Sequence, residues 1–186
     1  MGKNFIGVYD NILSKKECEI LISQFEKSPQ IDGLCWCEGE ISVEPGIKQC
    51  KVLSGCKFSG NSVISNIVIR AIKRSMDLYV KEYPDIDDNI GPREVDDDYS
   101  FQKYETESDG YKAWHCEAGC AGTAKRFLVW SFYLNNAKSG TEFRHFRTIR
   151  AKIGRGVIFP ATWTHFHKSE PNKGLKYLVT GWIKYE

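Results

Sequence analysis

Apolar positions three and four residues apart mark the first half of the chain; past its midpoint they fall two apart. Ser14-Lys15-Lys16-Glu17 is a capping box, a hydroxyl for the first free amides with a glutamate three residues on that reaches back. Cys18, Leu21, Ile22 and Phe25 then share one face, so the spacing predicts a short amphipathic helix over about 15–27. A longer second helix is predicted from Asn61, with Ile64, Ile67, Val68, Ala71, Ile72 and Tyr79 as its apolar stripe and Pro84 as its stop. The segment 84–99, PDIDDNIGPREVDDDY, is acidic and broken by Pro and Gly, which predicts a surface loop. Within it Asp96-Asp97-Asp98 reads as a solvated acidic turn rather than a cation site.

Beyond about residue 96 the texture changes. SFQKY, KRFLVWSFYLNN, TEFRHF, RGVIFP, THFHKS and LKYLVTGWIKYE are short, rich in β-branched and aromatic residues, and separated by Gly, Asn, Pro or Lys. Each predicts a strand. Helices followed by strands predict an α+β fold whose second half is a sandwich or barrel. The length suits one domain over 1–186, with a helical part over about 1–95 and a β core over about 96–186.

Hydrophobic residues make up 41% of the chain and aromatics 13%, which favours a packed core over disorder. The 26 basic and 24 acidic residues are interspersed for a net charge of +2, so no basic stripe announces nucleic acid. No apolar run approaches the roughly 20 residues of a membrane-spanning helix. The opening MGKNFIGVYD lacks a signal peptide's layout, and Ile6 stands where a myristoylation signal wants Ser or Thr. The expectation is a soluble, cytoplasmic protein with no membrane partner. Seven cysteines without an export signal then read as reduced thiols. Cys35-Trp36-Cys37, with Cys50 and Cys56, lacks the two-residue gap of paired zinc ligands and reads as ordinary thiols.

The stretch YKAWHCEAGC, 111–120, holds the candidate chemistry. On a strand, residues two apart project from one face, so His115 and Glu117 can reach one metal while Cys116 points away. A third ligand must come from elsewhere, and the other histidines are His145, His165 and His167. The last two lie in IFPATWTHFHKSEP, itself strand-like, which a barrel could bring beside the pair. Two imidazoles and a carboxylate on one side of a metal leave the other side open. That facial arrangement suits non-haem Fe(II).

The stretch from Phe101 to Ile183 resembles the Fe(II)/2-oxoglutarate dioxygenase superfamily, in its prolyl 4-hydroxylase-like branch of bacterial and phage type. FQKYETESDGYKAWHCE resembles the segment that delivers the first histidine and the acid. RFLVWSFYLNN followed by SGTEF resembles that family's "YLN … GGTEF" block. GRGVIFP resembles the strand leading to the distal histidine, and HKSEPNKGLKYLVTGW the closing strands. The resemblance implies a double-stranded β-helix (jelly-roll) core with N-terminal flanking helices, in agreement with the helices predicted above.

It further implies His115 as first metal ligand and Glu117 as the acid, in the place where the family usually has Asp. The distal histidine in such proteins is followed four residues on by Pro and nine or ten on by Lys or Arg. His167 has Pro171 and Lys176 at those places, whereas His165 has Ser169 at four and Lys176 at eleven. His167 is therefore the expected distal ligand and His165 the alternative; strand parity puts both on one face. Lys176 matches the basic residue that pairs with the distal carboxylate of 2-oxoglutarate. Alternation in LKYLVTGW puts it on one face with Leu178, Thr180 and Trp182. Tyr104 and Tyr133 match tyrosines that help hold the co-substrate, and each serves equally as a core aromatic. Thr180 and Trp182 match pocket-lining positions, and His145 reads as a surface or strand-edge residue.

The activity implied is hydroxylation of a C–H bond with Fe(II), 2-oxoglutarate and O₂, releasing succinate and CO₂. No side chain beyond the metal ligands is expected to act as an acid or base. A peptidyl proline or other amino-acid residue is the expected substrate, with a small metabolite or a nucleobase as alternatives. The loops at 35–56 and 84–99 are candidates for its recognition. Two rival readings keep the barrel. One is an inactive binding module for a peptide or a metal; the other is a cupin-like isomerase or hydrolase that makes no use of Lys176.

Overall fold

The structure, a computed structural model, describes residues 3–37, 40–55 and 62–186. Ser14 caps the first helix, Lys15–Lys27, with both halves of the predicted box. Glu17 N donates to Ser14 Oγ at 3.2 Å, and Ser14 N donates to Glu17 Oε2 at 2.8 Å. Cys18, Leu21 and Phe25 are its buried face, as the spacing predicts. The second helix is Ser62–Glu82; its predicted start at Asn61 lies outside the described residues. Ile64, Ile67, Val68, Ala71, Ile72 and Tyr79 are all buried.

Both helices pack on one face of an antiparallel sheet. Among the described residues its order is Gly7–Tyr9, Gly156–Pro160, Arg126–Tyr133, Lys176–Tyr185, Ser100–Tyr104, Lys51–Ser54 and Ile31–Asp32. Alternation decides what each face holds. Leu128, Trp130, Phe132, Ile158, Phe101, Val179 and Ile183 point into the core under the helices. Val129, Tyr133, Val157, Phe159, Tyr104 and Leu178 point the other way, into a second core. A smaller sheet covers that second core, with Gly140–Phe143 between Ile149–Arg150 and His167–Ser169 and Phe143 and Ile149 buried. Two facing sheets with helices outside the larger one make the expected double-stranded β-helix.

The segment 84–99 is more ordered than a surface loop. Pro84 opens a short helix, Asp85–Asn89, which buries Ile86, and Arg93–Val95 pairs with the end of Lys176–Tyr185. Arg93 holds the two together by pairing with Asp87. The acidic turn is partly neutralised, since Lys184 Nζ donates to Asp96 Oδ1 at 3.3 Å. Cys35 and Cys50 are buried, while Cys56 lies outside the described residues. No described helix is long and apolar enough to cross a membrane.

Candidate metal centre

His115 and Glu117 do not lie on a regular strand, contrary to the expectation. His115 forms a single antiparallel bridge with His167, each amide donating to the other's carbonyl at 3.0 and 2.9 Å. Past it the amides of Glu117 and Ala118 both donate to one acceptor, Ala161 O, at 2.9 Å. A regular ladder gives each carbonyl one amide, so the chain departs from regular strand geometry there. The irregularity still delivers Glu117 to the same place. One ligand atom from each of His115, Glu117 and His167 lies within 4.8 Å of the others.

Glu117 Oε1 is 3.5 Å from His115 Nε2 and 3.7 Å from His167 Nε2. Behind the rings, His115 Nδ1 faces Ala113 O and His167 Nδ1 faces His165 O, each at 3.0 Å. A carbonyl can only accept, so Nδ1 carries the proton and Nε2 presents its lone pair to the common centre. Tyr111 stacks on His115 with ring centroids 3.5 Å apart and planes 12° apart. Phe159 packs edge-on against His167. Burial pushes His115 below its ordinary value, and the neighbouring His167 adds to this. Burial alone would raise Glu117, but the two imidazoles, whenever protonated, bond to it and attract it strongly enough to outweigh burial and hold the carboxyl well below its ordinary range. An ionised carboxylate beside an imidazole that resists protonation is the state metal binding requires.

His165 is elsewhere. It ends a 3₁₀ turn, Trp163–His165, which breaks the alternation that would have put it on His167's face. Its Nε2 faces Asn4 O at 2.9 Å, its Nδ1 faces Thr164 Oγ1 at 2.8 Å, and Phe146 stacks on its ring. Only its carbonyl serves the centre, through His167 Nδ1. His145 is exposed in the turn that follows Gly140–Phe143.

The three residues line a pocket shared with Tyr104, Lys176, Leu178, Thr180 and Trp182. Lys176 is 1% exposed and stands directly across the sheet from Tyr104, its Nζ 4.5 Å from that ring's centroid. Burial lowers its pKa from 10.5 to about 8, with Glu170 opposing at longer range. Among the described residues no carboxylate forms an ion pair with it. Tyr104 donates to Gln102 Oε1 at 2.6 Å. Tyr133 is buried behind the pocket wall, its hydroxyl 2.7 Å from Thr141 Oγ1, and Thr141 is the one that lines the cavity. Thr180 donates to Trp130 O.

Arg126 carries no signal in the sequence that marks it for this site. Its guanidinium lies 3.5 Å over the Trp182 ring, and its Nη1 is 3.5 Å from Glu117 Oε2. Trp182 Nε1 donates to the same oxygen at 3.2 Å. Gln102, Ser131 and Thr141 also face the cavity. Alternation from Val129 could have found Ser131, and the aromatic four residues before His115 was a signal for Tyr111.

No family model matches the sequence, and no curated protein matches it. Solved structures do match. A viral collagen prolyl hydroxylase from Paramecium Bursaria Chlorella virus-1, in complex with 2-oxoglutarate, superposes with a TM-score of 0.68 at 18% identity over 100% of this chain and 98% of that one. A prolyl hydroxylase from Trichoplax adhaerens, complexed with a peptide fragment of hypoxia inducible factor, gives 0.69 at 15% identity over 98% and 84%. The α-ketoglutarate-dependent epimerase SnoN of nogalamycin biosynthesis gives 0.68 at 12% identity over 98% and 78%. At these identities the likeness is one of fold, and this chain has the fold that prolyl hydroxylases and a non-haem α-ketoglutarate-dependent epimerase share.

Proposed function

We propose that the chain is a single non-haem Fe(II) and 2-oxoglutarate-dependent oxygenase domain that hydroxylates a C–H bond of a peptidyl proline or another amino-acid residue. One observation carries the reading: a His-Glu-His cluster opens into the same pocket as a buried lysine with no described carboxylate partner. An isolated buried ammonium is costly, and an anionic ligand would repay that cost.

His115, Glu117 and His167 would hold the metal, and their donor set of two imidazoles and one carboxylate fits Fe(II). Bound Fe(II) would supply the oxidative chemistry, coupling O₂ and 2-oxoglutarate to substrate hydroxylation with release of succinate and CO₂. The chain's own residues bind, orient and exclude water. Lys176 offers a point charge to the distal carboxylate of the co-substrate. Leu178 and Tyr104 wall that end, and Thr180 and Trp182 continue the same face towards Glu117. A peptide substrate is supported by the peptide bound to the Trichoplax adhaerens enzyme. A cytoplasmic setting agrees with the free thiols of Cys18, Cys35, Cys50, Cys116 and Cys120.

The test is O₂-dependent formation of succinate from 2-oxoglutarate by the Fe(II)-loaded protein, with proline-containing peptides as first substrates. Succinate should form with O₂ consumed in step, and K176A should raise the 2-oxoglutarate requirement at least tenfold. A folded, iron-loaded protein that forms no succinate would favour the binding module. Metal-dependent isomerase or hydrolase activity indifferent to K176A would favour the cupin-like reading.

A further inference from the structure

Glu117 stands where an aspartate is expected, and the extra methylene has consequences. A longer carboxylate has one more torsion to fix and enough reach to offer both oxygens to one metal, closing a position that must stay open. The structure opposes both effects. Glu117 Oε2 accepts from Trp182 Nε1 at 3.2 Å and lies 3.5 Å from Arg126 Nη1. That same nitrogen also reaches Glu117's own carbonyl at 3.4 Å, so the guanidinium grips the residue at both ends. Arg126 is itself fixed by its stacking over the Trp182 ring at 3.5 Å. Oε1 is left facing the Nε2 atoms of the two histidines.

Arg126 reaches this face because of a local irregularity. Between Arg126 and Leu128 the register against Lys176–Tyr185 shifts, Arg126 pairing with Lys184 and Leu128 with Ile183. Such a bulge re-aims side chains, and here it turns Arg126 from the helix face to the pocket face.

We propose that Arg126 and Trp182 form a positioning clamp matched to glutamate: they withdraw Oε2 and leave Oε1 as the single oxygen for the metal. The inference rests on the metal-centre reading above. Neither residue touches the metal; each acts through Glu117.

The test is a titration of the purified chain with Co(II) alone, following its visible ligand-field absorption, with thermal melting of each variant alongside. W182F keeps the ring beneath Arg126 but loses the N–H, and R126Q loses the charge. Each should weaken Co(II) binding by about tenfold or more and alter the ligand-field bands while keeping the wild-type melting temperature. R126K should recover part of the loss. In E117D the shorter carboxylate cannot hold clamp and metal together, so adding W182F should change affinity by less than about twofold. The clamp is overturned if W182F and R126Q bind Co(II) with wild-type affinity and spectrum. It is also overturned if W182F costs the same factor in the E117D background, or if affinity falls only as the variants unfold. A folded wild-type chain that binds no Co(II) would sink the metal-centre reading, and the clamp with it.

Discussion

At the scale of a residue, the role proposed for Lys176 sets function against stability. Its displacement from 10.5 to about 8 corresponds to about 3 kcal/mol of unfavourable burial of the ammonium. K176M should therefore stabilise the fold by up to about that amount at neutral pH while abolishing 2-oxoglutarate binding, as denaturant melts and calorimetric titration would show. The pH dependence has a definite sign. The folded chain releases this proton near pH 8 and the unfolded chain near 10.5, so between those values the unfolded chain binds more protons. Wild-type stability thus rises through that window relative to K176M, whose advantage is complete below pH 8 and fades towards 10.5. Co-substrate affinity should fall above pH 8 as the charge is lost. Spacing from Pro171 and Lys176 favoured His167 over His165, and His167 is the one that clusters with His115 and Glu117. The 3₁₀ turn that removes His165 has no periodic signature. Arg126 was hidden for a similar reason, since strict alternation places it on the helix face and one bulge reverses it.

At the scale of elements, local chemistry was readable where it is self-contained. Ser14 and Glu17 satisfy one another within four residues, so the first helix could be placed from sequence. S14A should cost about 1 kcal/mol in a urea melt. Elements made by distant partners were not readable. Arg93–Val95 is a strand only because Ile183 to Tyr185 lie beside it, and 84–99 alone reads as a loop. His115 and Glu117 likewise owe their places to His167 and Ala161, some fifty residues downstream. Gly140 is another long-range requirement. A Cβ there would clash with Ile149 O, a backbone atom, so G140A should pry Gly140–Phe143 away from Ile149–Arg150 in the smaller sheet and lower the melting temperature.

For the whole molecule, the change from helical to strand spacing foretold the layers, and the motif order foretold the jelly roll. What composition could not supply was the division of labour between the faces of the large sheet. One face is closed by helices and the other carries Lys176, Leu178, Thr180 and Trp182 into the pocket. The candidate ligand atoms come from two widely separated segments joined by one backbone bridge, so a metal bound there would act as a cross-link. At a hundredfold excess over its dissociation constant it should add about 2.7 kcal/mol, a rise of about 5–10 °C in melting temperature that a chelator reverses.

In the proposed function, His115, Glu117 and His167 would hold iron in a form that 2-oxoglutarate can chelate. Anaerobic titration of the Fe(II)-loaded protein with 2-oxoglutarate, followed by visible absorption, tests it most directly. A weak metal-to-ligand charge-transfer band should grow in, be absent from H115A and H167A, and persist in H165A. Folded, iron-loaded protein that gives no such band, or a band that survives loss of His167, would rule out this metal centre.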